Sequence, residues 1–510
     1  MRTPNLTKRH WRSAGIVLAT VAFIAGLTGA VWLAAHWDTT VTAATLTQAR
    51  ANPAALRQFL ARMPKGGDLH SHLSGAVYAE RFVDWAIADG LCLRAADQTI
   101  LNPPCPAGSV AMPEAMRDQG SRDRLVNALS MRGFVPSATG QTGHDHFFAT
   151  FVRFNAVSSR HFADMVLDQL VTYQDQSAQY AELMVTFAGS GERRPFVDVI
   201  AGKTSFEDKL AALDQAGLSD FVQKRKAEFA AQLAAIEDRL ACDAARTRPG
   251  CKMTFRFIAQ VARNNSLDDV FVQTAIAAAL ARVDPAIVGF NFVQPEDAAI
   301  ALKDYSAHMR IIAYLAAHPS GAKPVNVALH AGELWLGLVP PGDLTFHITE
   351  AVGIAGAKRI GHGVSLAFER DADKLLKTMR ERGIAVEINL SSNDLVLGVR
   401  GNEHPLPAYR AAGVPVVLST DDSGVERIDL THEYVRAARD YRLGYKALKK
   451  MARASLMHSF LPDADKRKEL ERFDAAKKAF ERSNAARVSI LDGLLLIAGA
   501  AINPVSAAAR

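Results

Sequence analysis

The chain has 510 residues, of which 49% are hydrophobic and 22% charged, with 34 Gly and 21 Pro. That balance excludes a disordered chain, a collagen-like repeat and a disulfide-packed miniprotein, and it predicts a globular protein with ample core. The formal charge of +6 gives no support to a nucleic-acid partner: Arg2, Lys8, Arg9 and Arg12 precede every acidic residue, removing those four leaves +2, and no basic stripe interleaves with aromatics.

In chain order, residues 1–13 form a basic segment expected in the cytoplasm. Ala14 to Ala35 is 22 residues without a charge, long enough to cross a hydrocarbon layer of about 30 Å as a helix. The segment 14–36 is therefore expected to be a transmembrane signal anchor. Its cationic flank keeps the N-terminus inside and exports the rest, placing a single-pass protein in the inner membrane with a periplasmic catalytic domain. Val41-Thr42-Ala43 offers a small-residue cleavage pattern, so a cleaved signal peptide and a secreted periplasmic protein stay open; the length favours the anchor. Residues 37–62 read as a linker and lead-in helix.

Short runs rich in Val, Ile and Phe recur through residues 65–422, at Gly67–Leu73, Tyr180–Phe187, Met253–Gln260, Ile287–Val293, Val325–His330, Arg359–Val364, Ala385–Leu390 and Val414–Thr420. Helix-like stretches such as Phe221–Ala241 and Asp297–Ala317 separate them. Eight such alternations predict an α/β fold, a (β/α)8 TIM barrel over 63–485. Two connections, about 76–177 and 189–250, are too long for barrel loops and are expected as insertions of surface helices and covering loops. Each holds one cysteine pair, Cys92 with Cys105 and Cys242 with Cys251. Proximity favours these pairings in an oxidising compartment, with four free thiols the alternative. Leu430–Phe460 and Lys466–Asn484 read as amphipathic helices on the barrel exterior. The apolar tail 486–510 is too short for a second span and is expected to pack as a terminal helix.

The chemistry-bearing residues sit at predicted strand ends. His70 and His72 in Asp68-Leu69-His70-Ser71-His72 share one face of the first strand, since side chains alternate with period two. His330 in Leu329-His330-Ala331-Gly332-Glu333, His362 in Arg359-Ile360-Gly361-His362-Gly363, and Asp421-Asp422 after Leu418-Ser419-Thr420 close three others. A barrel brings all such ends to one mouth. Three neutral imidazoles and a carboxylate suit one Zn²⁺ with a position left for water. A nearby His or Asp could take that water's proton, and Glu333 suits proton donation.

His144-Asp145-His146 is a second H-x-H, but the helical pattern after it reads better as a helix start over the mouth than as a second metal site. Trp335 suits the pocket wall and simple packing equally. No G-x-S-x-G elbow, phosphate-binding loop or dinucleotide fingerprint is present.

The segments MPKGGDLHSHLSG, LHAGELWLG, RIGHGVSL, EINLSSND and LSTDD, in this order, resemble the adenosine/AMP deaminase family of metal-dependent hydrolases over about residues 63–460. MPKGG and Val288-Gly289-Phe290-Asn291-Phe292 followed by Glu296-Asp297 are most similar to its exported, growth-factor-like branch. The resemblance implies that His70, His72, His330 and Asp421 bind one zinc ion per chain. It assigns Glu333 as proton donor to purine N1, His362 as the hydroxide-orienting general base, and Asp422 as the contact to purine N7. Gly332, Ser74 and Gln294 complete the expected substrate-facing set. Ser74 stands where many members carry an acid that contacts ribose, and Gln294 where a glycine backbone usually approaches purine N3. A Gln there would narrow the pocket or add an amide contact. Asn389-Leu390-Ser391-Ser392-Asn393 replaces the usual Cys-Pro-x-Ser-Asn run. The implied activity is hydrolytic deamination of adenosine or a related 6-aminopurine nucleoside in salvage. A deoxy- or N6-substituted nucleoside deaminase and a low-turnover nucleoside-binding or signalling protein are the alternatives, and a homodimer is left open.

Overall fold

The computed structural model describes residues 35–136, 140–317 and 323–502. Eight parallel strands run Gly66–His72, Ala178–Val185, Thr254–Ala262, Ile287–Val293, Ala328–Ala331, Arg359–His362, Ala385–Ile388 and Val416–Leu418, one in each segment that the sequence marks. The first four pair in order, as do the last four. Two bridges close the ring, Ser71 to Asp421 between the first and eighth strands and Phe290 to Val327 between the fourth and fifth. Six of the strands are almost wholly buried, as expected where helices cover a parallel sheet and side chains fill its interior, whereas Thr254–Ala262 is half-buried over much of its length.

Crossover helices include Leu267–Val283, Ala299–Ala317 and Ala372–Arg382. The predicted helix Leu430–Phe460 is instead two, Leu430–Arg439 and Tyr445–Met457. The chain breaks where Arg442 adopts a left-handed φ of 52° and Gly444 caps the second helix in extended conformation.

The first insertion carries helices that include Ala79–Ala88, Gly143–Ser158 and Phe162–Asp175. It also carries an antiparallel sheet of Cys92–Arg94 between Thr99–Leu101 and Ser109–Ala111, where only helices and loops were expected. Strands of three residues are too short to show alternation. The second insertion is helical, at Ser190–Ile200, Phe206–Gln215 and Leu218–Leu240. Disulfides join Cys92 to Cys105 and Cys242 to Cys251, the pairing that proximity favoured.

The predicted span 14–36 lies, apart from its last two residues, outside the described residues. Among the described residues no single helix is long and apolar enough to cross a membrane. The terminal helix Ile490–Ile502 is less packed than expected: Gly493 abuts the Trp37 ring, while Ile490 and Leu491 are 74% and 67% exposed.

Candidate active site

The carboxyl ends of the strands converge as the topology requires. Asp68, on the first strand, ties that strand's end to the eighth: its carboxylate accepts from the Thr420 hydroxyl (2.7 Å), the Thr420 amide (3.2 Å), the Tyr173 hydroxyl (3.2 Å) and the His70 amide (3.2 Å). The first strand's register against the second shifts between Asp68 and Ser71, and Asp421 exchanges backbone hydrogen bonds with His70 and His72. The two imidazoles and Asp421 are thereby set at one place.

His70 Nε2 and His72 Nε2 each lie 3.1 Å from His330 Nε2, and each lies 3.3 Å from Asp421 Oδ1. Four ligands on bonds of about 2.0–2.2 Å around a tetrahedral ion would stand roughly 3.3–3.6 Å apart, so these four edges are close to those of a coordination sphere; His362 also lies within 4.8 Å of the ligand atoms of His70, His330 and Asp421. The second layer sets the tautomers. Asn291 Oδ1 accepts from the His330 amide (3.0 Å), which identifies it as oxygen, and therefore also accepts from His330 Nδ1 (2.9 Å). His70 Nδ1 donates to Glu387 Oε2 at 2.7 Å. Neutral His70 and His330 thus aim two bare lone pairs at one point beside a carboxylate, an arrangement that calls for a cation. His72 Nδ1 meets the Gln260 amide at 2.6 Å.

Electrostatics point the same way. Burial depresses the His70 imidazole, but Asp421 and Glu387 outweigh it and push His70 up to about 10; the two carboxylates thus favour a positive charge at His70 Nε2, and a metal ion would supply it in place of that proton. Burial would raise the Asp421 carboxyl, yet His362, His70 and His72 hold it well below the usual carboxylate range. Burial and the neighbouring imidazoles hold His330 well below 6.5. These residues fit a divalent ion with nitrogen and oxygen ligands.

Glu333 and Asp422 behave oppositely to Asp421. Burial first, then the Asp421 charge, drives both well above the usual carboxylate range, so the cavity favours their protonated forms. Asp422 Oδ1 is buried without a partner, and a Cβ on Gly75 would lie 1.5 Å from it, so only glycine admits the carboxyl there. Gly361 likewise makes room for His70, whose Cε1 lies 2.5 Å from the position of a Cβ. His362 Nδ1 is 3.6 Å from Glu333 Oε1, and its Nε2 is 3.7 Å from Asp421 Oδ2. Its proton is placed by a relay. The Leu406 amide donates to His404 Nδ1 (3.1 Å), His404 Nε2 donates to Asn393 Oδ1 (3.0 Å), and the Asn393 amide donates to His362 Nδ1 (2.9 Å). Neutral His362 therefore carries its proton on Nε2, on the Asp421 side, which leaves it the orienting part of its expected role but no free lone pair for the general-base part. Burial pushes His362 down to about 3, and a second proton on Nδ1 would oppose the Asn393 donor. His362 and Asp421 both adopt left-handed φ, 66° and 58°, a strain of roughly 1–3 kcal/mol each that concentrates at functional sites.

A cavity of about 480 Å³ opens above the cluster, lined by His72, Ser74, Gln294, Glu333 and Asp422 among others, with Phe147, Phe148 and Phe151 as its roof. The roof helix Gly143–Ser158 starts at a Thr142–Asp145 capping box. His144 pairs with Asp297 (3.0 Å) and His146 donates to the Ser130 carbonyl (3.0 Å), so this second H-x-H is a helix start with separate partners. Gln294 has a left-handed φ of 79°, the conformation a glycine would favour, and its Oε1 accepts from the Asn264 amide at 3.0 Å. One expectation changes and one open alternative closes. Gly332 does not face the cavity: its amide donates to Glu296 (3.0 Å) and its carbonyl accepts from Ser365 (3.0 Å). Trp335 packs edge-on against Phe368 at 5.1 Å and does not line the cavity.

The adenosine deaminase family profile matches residues 221–476, half of the chain, including His330, Glu333, His362, Asp421 and Asp422. The chain belongs to the adenosine deaminase family. An adenosine deaminase of Clostridium perfringens is 32% identical over 144 residues, 28% of this chain and 40% of that protein. An aminodeoxyfutalosine deaminase of Streptomyces coelicolor is 35% identical over 134 residues, 26% of this chain and 34% of that protein. The aligned regions thus span less than half of these deaminases. The structure of an amidohydrolase from Burkhoderia ambifaria with bound Zn superposes with a TM-score of 0.54 at 17% identity, covering 85% of this chain and 95% of that one, and so shares the fold. Family membership accounts for a cluster of this composition at the barrel mouth.

Proposed function

We propose that this chain is a zinc-dependent hydrolase that replaces the 6-amino group of adenosine or a related 6-aminopurine nucleoside with oxygen, releasing ammonia. The observation that carries this reading is the placement of Glu333 and Asp422, two carboxyls whose ionised forms burial and the Asp421 charge disfavour, on one cavity beside the imidazoles and Asp421. His70, His72, His330 and Asp421 would hold one Zn²⁺, and when bound the ion would acidify water at neutral pH. Glu333 then donates its proton to purine N1 as C6 is attacked, neutralising charge that builds on the ring. Asp422, also protonated, donates to N7 and fixes the ring edge. His362, protonated on Nε2, orients the attacking oxygen by donation. The phenylalanine roof excludes bulk water; one proton of the attacking water reloads Glu333 and the other passes to the 6-amino group, so the C6–N bond breaks with ammonia as the leaving group while N1 keeps its proton. A nucleoside-binding protein without turnover would have no use for an acid held protonated beside the metal ligands. We further propose a periplasmic catalytic domain on an inner-membrane anchor; the two disulfides support an oxidising compartment. Incubating zinc-loaded protein with adenosine and other aminopurine nucleosides, bases and nucleotides tests the activity. One ammonia per 6-oxo product is the expected result, and no ammonia from any 6-aminopurine nucleoside would refute it.

A further inference from the structure

A second cavity, of about 640 Å³, adjoins the catalytic one. Both are lined by Ser74, Asn155, Ser158, Thr186 and Gln260, but none of the four metal ligands, nor Glu333 or Asp422, faces the second chamber. Its floor comes from barrel strands, with Met184, Val185 and Gln260, and its outer walls from the two insertions, which the barrel itself does not require: Asn155 and Ser158 from the first, Glu192, Arg225, Phe229 and Gln232 from the second. The catalytic cavity alone has the size of an ordinary small-ligand site, roughly 300–1,000 Å³. The chamber is therefore additional space at one end of it.

Its direction follows from the proposed chemistry. With N1 at Glu333 and N7 at Asp422, C6 faces the metal cluster and the sugar on N9 points away from it. The shared residues, Ser74 among them, lie between that edge and the second chamber. A serine in place of an acid leaves this passage uncharged. The chamber's own charges oppose an anion. Arg225 is held by both Glu192 and Glu228, the latter at 3.0 Å, and its guanidinium lies 5.5 Å over the Phe221 ring. The cation is thus outnumbered two to one, and a phosphate would meet a net negative wall. The remaining walls are largely apolar, with Met165, Met184, Phe187 and Phe229.

We infer that this chamber is a subsite for an uncharged, partly apolar extension on the sugar, so that the preferred substrate is an unphosphorylated 6-aminopurine nucleoside extended at C5′, the exocyclic carbon of the sugar and the one that reaches furthest from its ring. The inference rests on the deaminase reading for the orientation of the ring. The insertions then act as the specificity element of the enzyme, adding a site for the far end of the substrate to a barrel mouth that handles the purine.

The test compares kcat/KM for adenosine, its 5′-monophosphate and 5′-deoxy-5′-alkylthioadenosines of increasing chain length. The alkylthio compounds should exceed adenosine at least tenfold and the monophosphate should fall at least tenfold below it. Gln232→Trp, which fills the chamber from the exposed face of the helix Leu218–Leu240, should reduce the ratio of alkylthio to parent nucleoside at least tenfold. The double change Glu192→Gln with Glu228→Gln should raise the monophosphate's ratio to adenosine at least tenfold by freeing Arg225. Calorimetric binding of the matching 5′-alkylthio purine ribosides, which have no amino group to lose, is read in the same proteins. Absence of turnover with tight, Gln232-sensitive binding would refute the deaminase reading and support the subsite. A monophosphate that is the best substrate, an extension that weakens both turnover and binding, or ratios unmoved by Gln232→Trp would overturn the subsite.

Discussion

Arg359→Met is the most informative perturbation of the layer behind the proposed metal ligands. Arg359 is 1% exposed. It contacts Glu182 Oε2 at 2.5 Å, Glu387 Oε1, and the His458 carbonyl at 3.0 Å, and its guanidinium lies 3.7 Å over the Phe460 ring. Methionine matches the aliphatic stem and removes the charge, leaving two buried carboxylates without their cation. Breaking a buried ion pair from one side costs about 3–5 kcal/mol, which for a chain of this size lowers Tm by roughly 4 °C, since unfolding entropy is about 2.1 cal/mol/K per residue. A second effect is separable. Burial would raise the Glu387 carboxyl, and Arg359 is the largest influence holding it below the usual range. Without Arg359, Glu387 is driven toward protonation, and His70 Nδ1 loses a charged acceptor. Loss of such a partner costs roughly 10- to 100-fold in metal affinity. Calorimetry of metal-stripped protein reads the first effect and competition with a chromophoric chelator reads the second. Adding Glu182→Gln should recover part of the stability and none of the affinity. A variant with unchanged Tm and unchanged zinc affinity would refute this account of how His70 is held.

Three further outcomes follow from the site. Glu333→Gln should keep one bound zinc by elemental analysis while kcat falls roughly 10²–10⁴-fold; wild-type rates would remove Glu333 from proton donation. Gly75→Ala, which places a methyl 1.5 Å from Asp422 Oδ1, should raise KM for the nucleoside at least tenfold with zinc content unchanged, because only the Asp422 carboxyl is displaced. A KM equal to wild type would show that Asp422 does not hold the ring. His362, pushed down to about 3 by burial, takes up a proton only as the pH falls through that value, so it stays neutral between pH 5 and 8. The pH profile of kcat should therefore show no limb near 6.5 that disappears in His362→Gln, and such a limb would contradict the placement of its proton.

Much of this was legible in the sequence, and for definite reasons. Buried parallel strands read as apolar runs, so all eight were visible at Gly66–His72 through Val416–Leu418, and a barrel mouth gathers strand ends whatever their separation along the chain. His70, His72, His330 and Asp421 could thus be grouped before any coordinates. The residues that orient them were not assigned. Glu387 points from the middle of the seventh strand, Asn291 from the fourth and Asp68 from the first, and a polar residue inside an apolar run has no role until strand register shows which histidine it meets. Gly332 was misplaced because adjacency to a ligand and a catalytic acid does not reveal that Glu296 and Ser365 already bind its amide and carbonyl. The small sheet at Cys92–Ala111 has strands too short for a period. The exposed face of Ile490–Ile502 depends on what that helix packs against, which hydrophobicity alone does not specify.

The most direct test of the central claim is a titration of zinc into chelator-stripped protein, with ammonia release from a 6-aminopurine nucleoside as the readout. Activity should rise linearly from zero and level off at one zinc per chain. Full activity without added zinc, or a break at two equivalents, would contradict a single ion shared by His70, His72, His330 and Asp421.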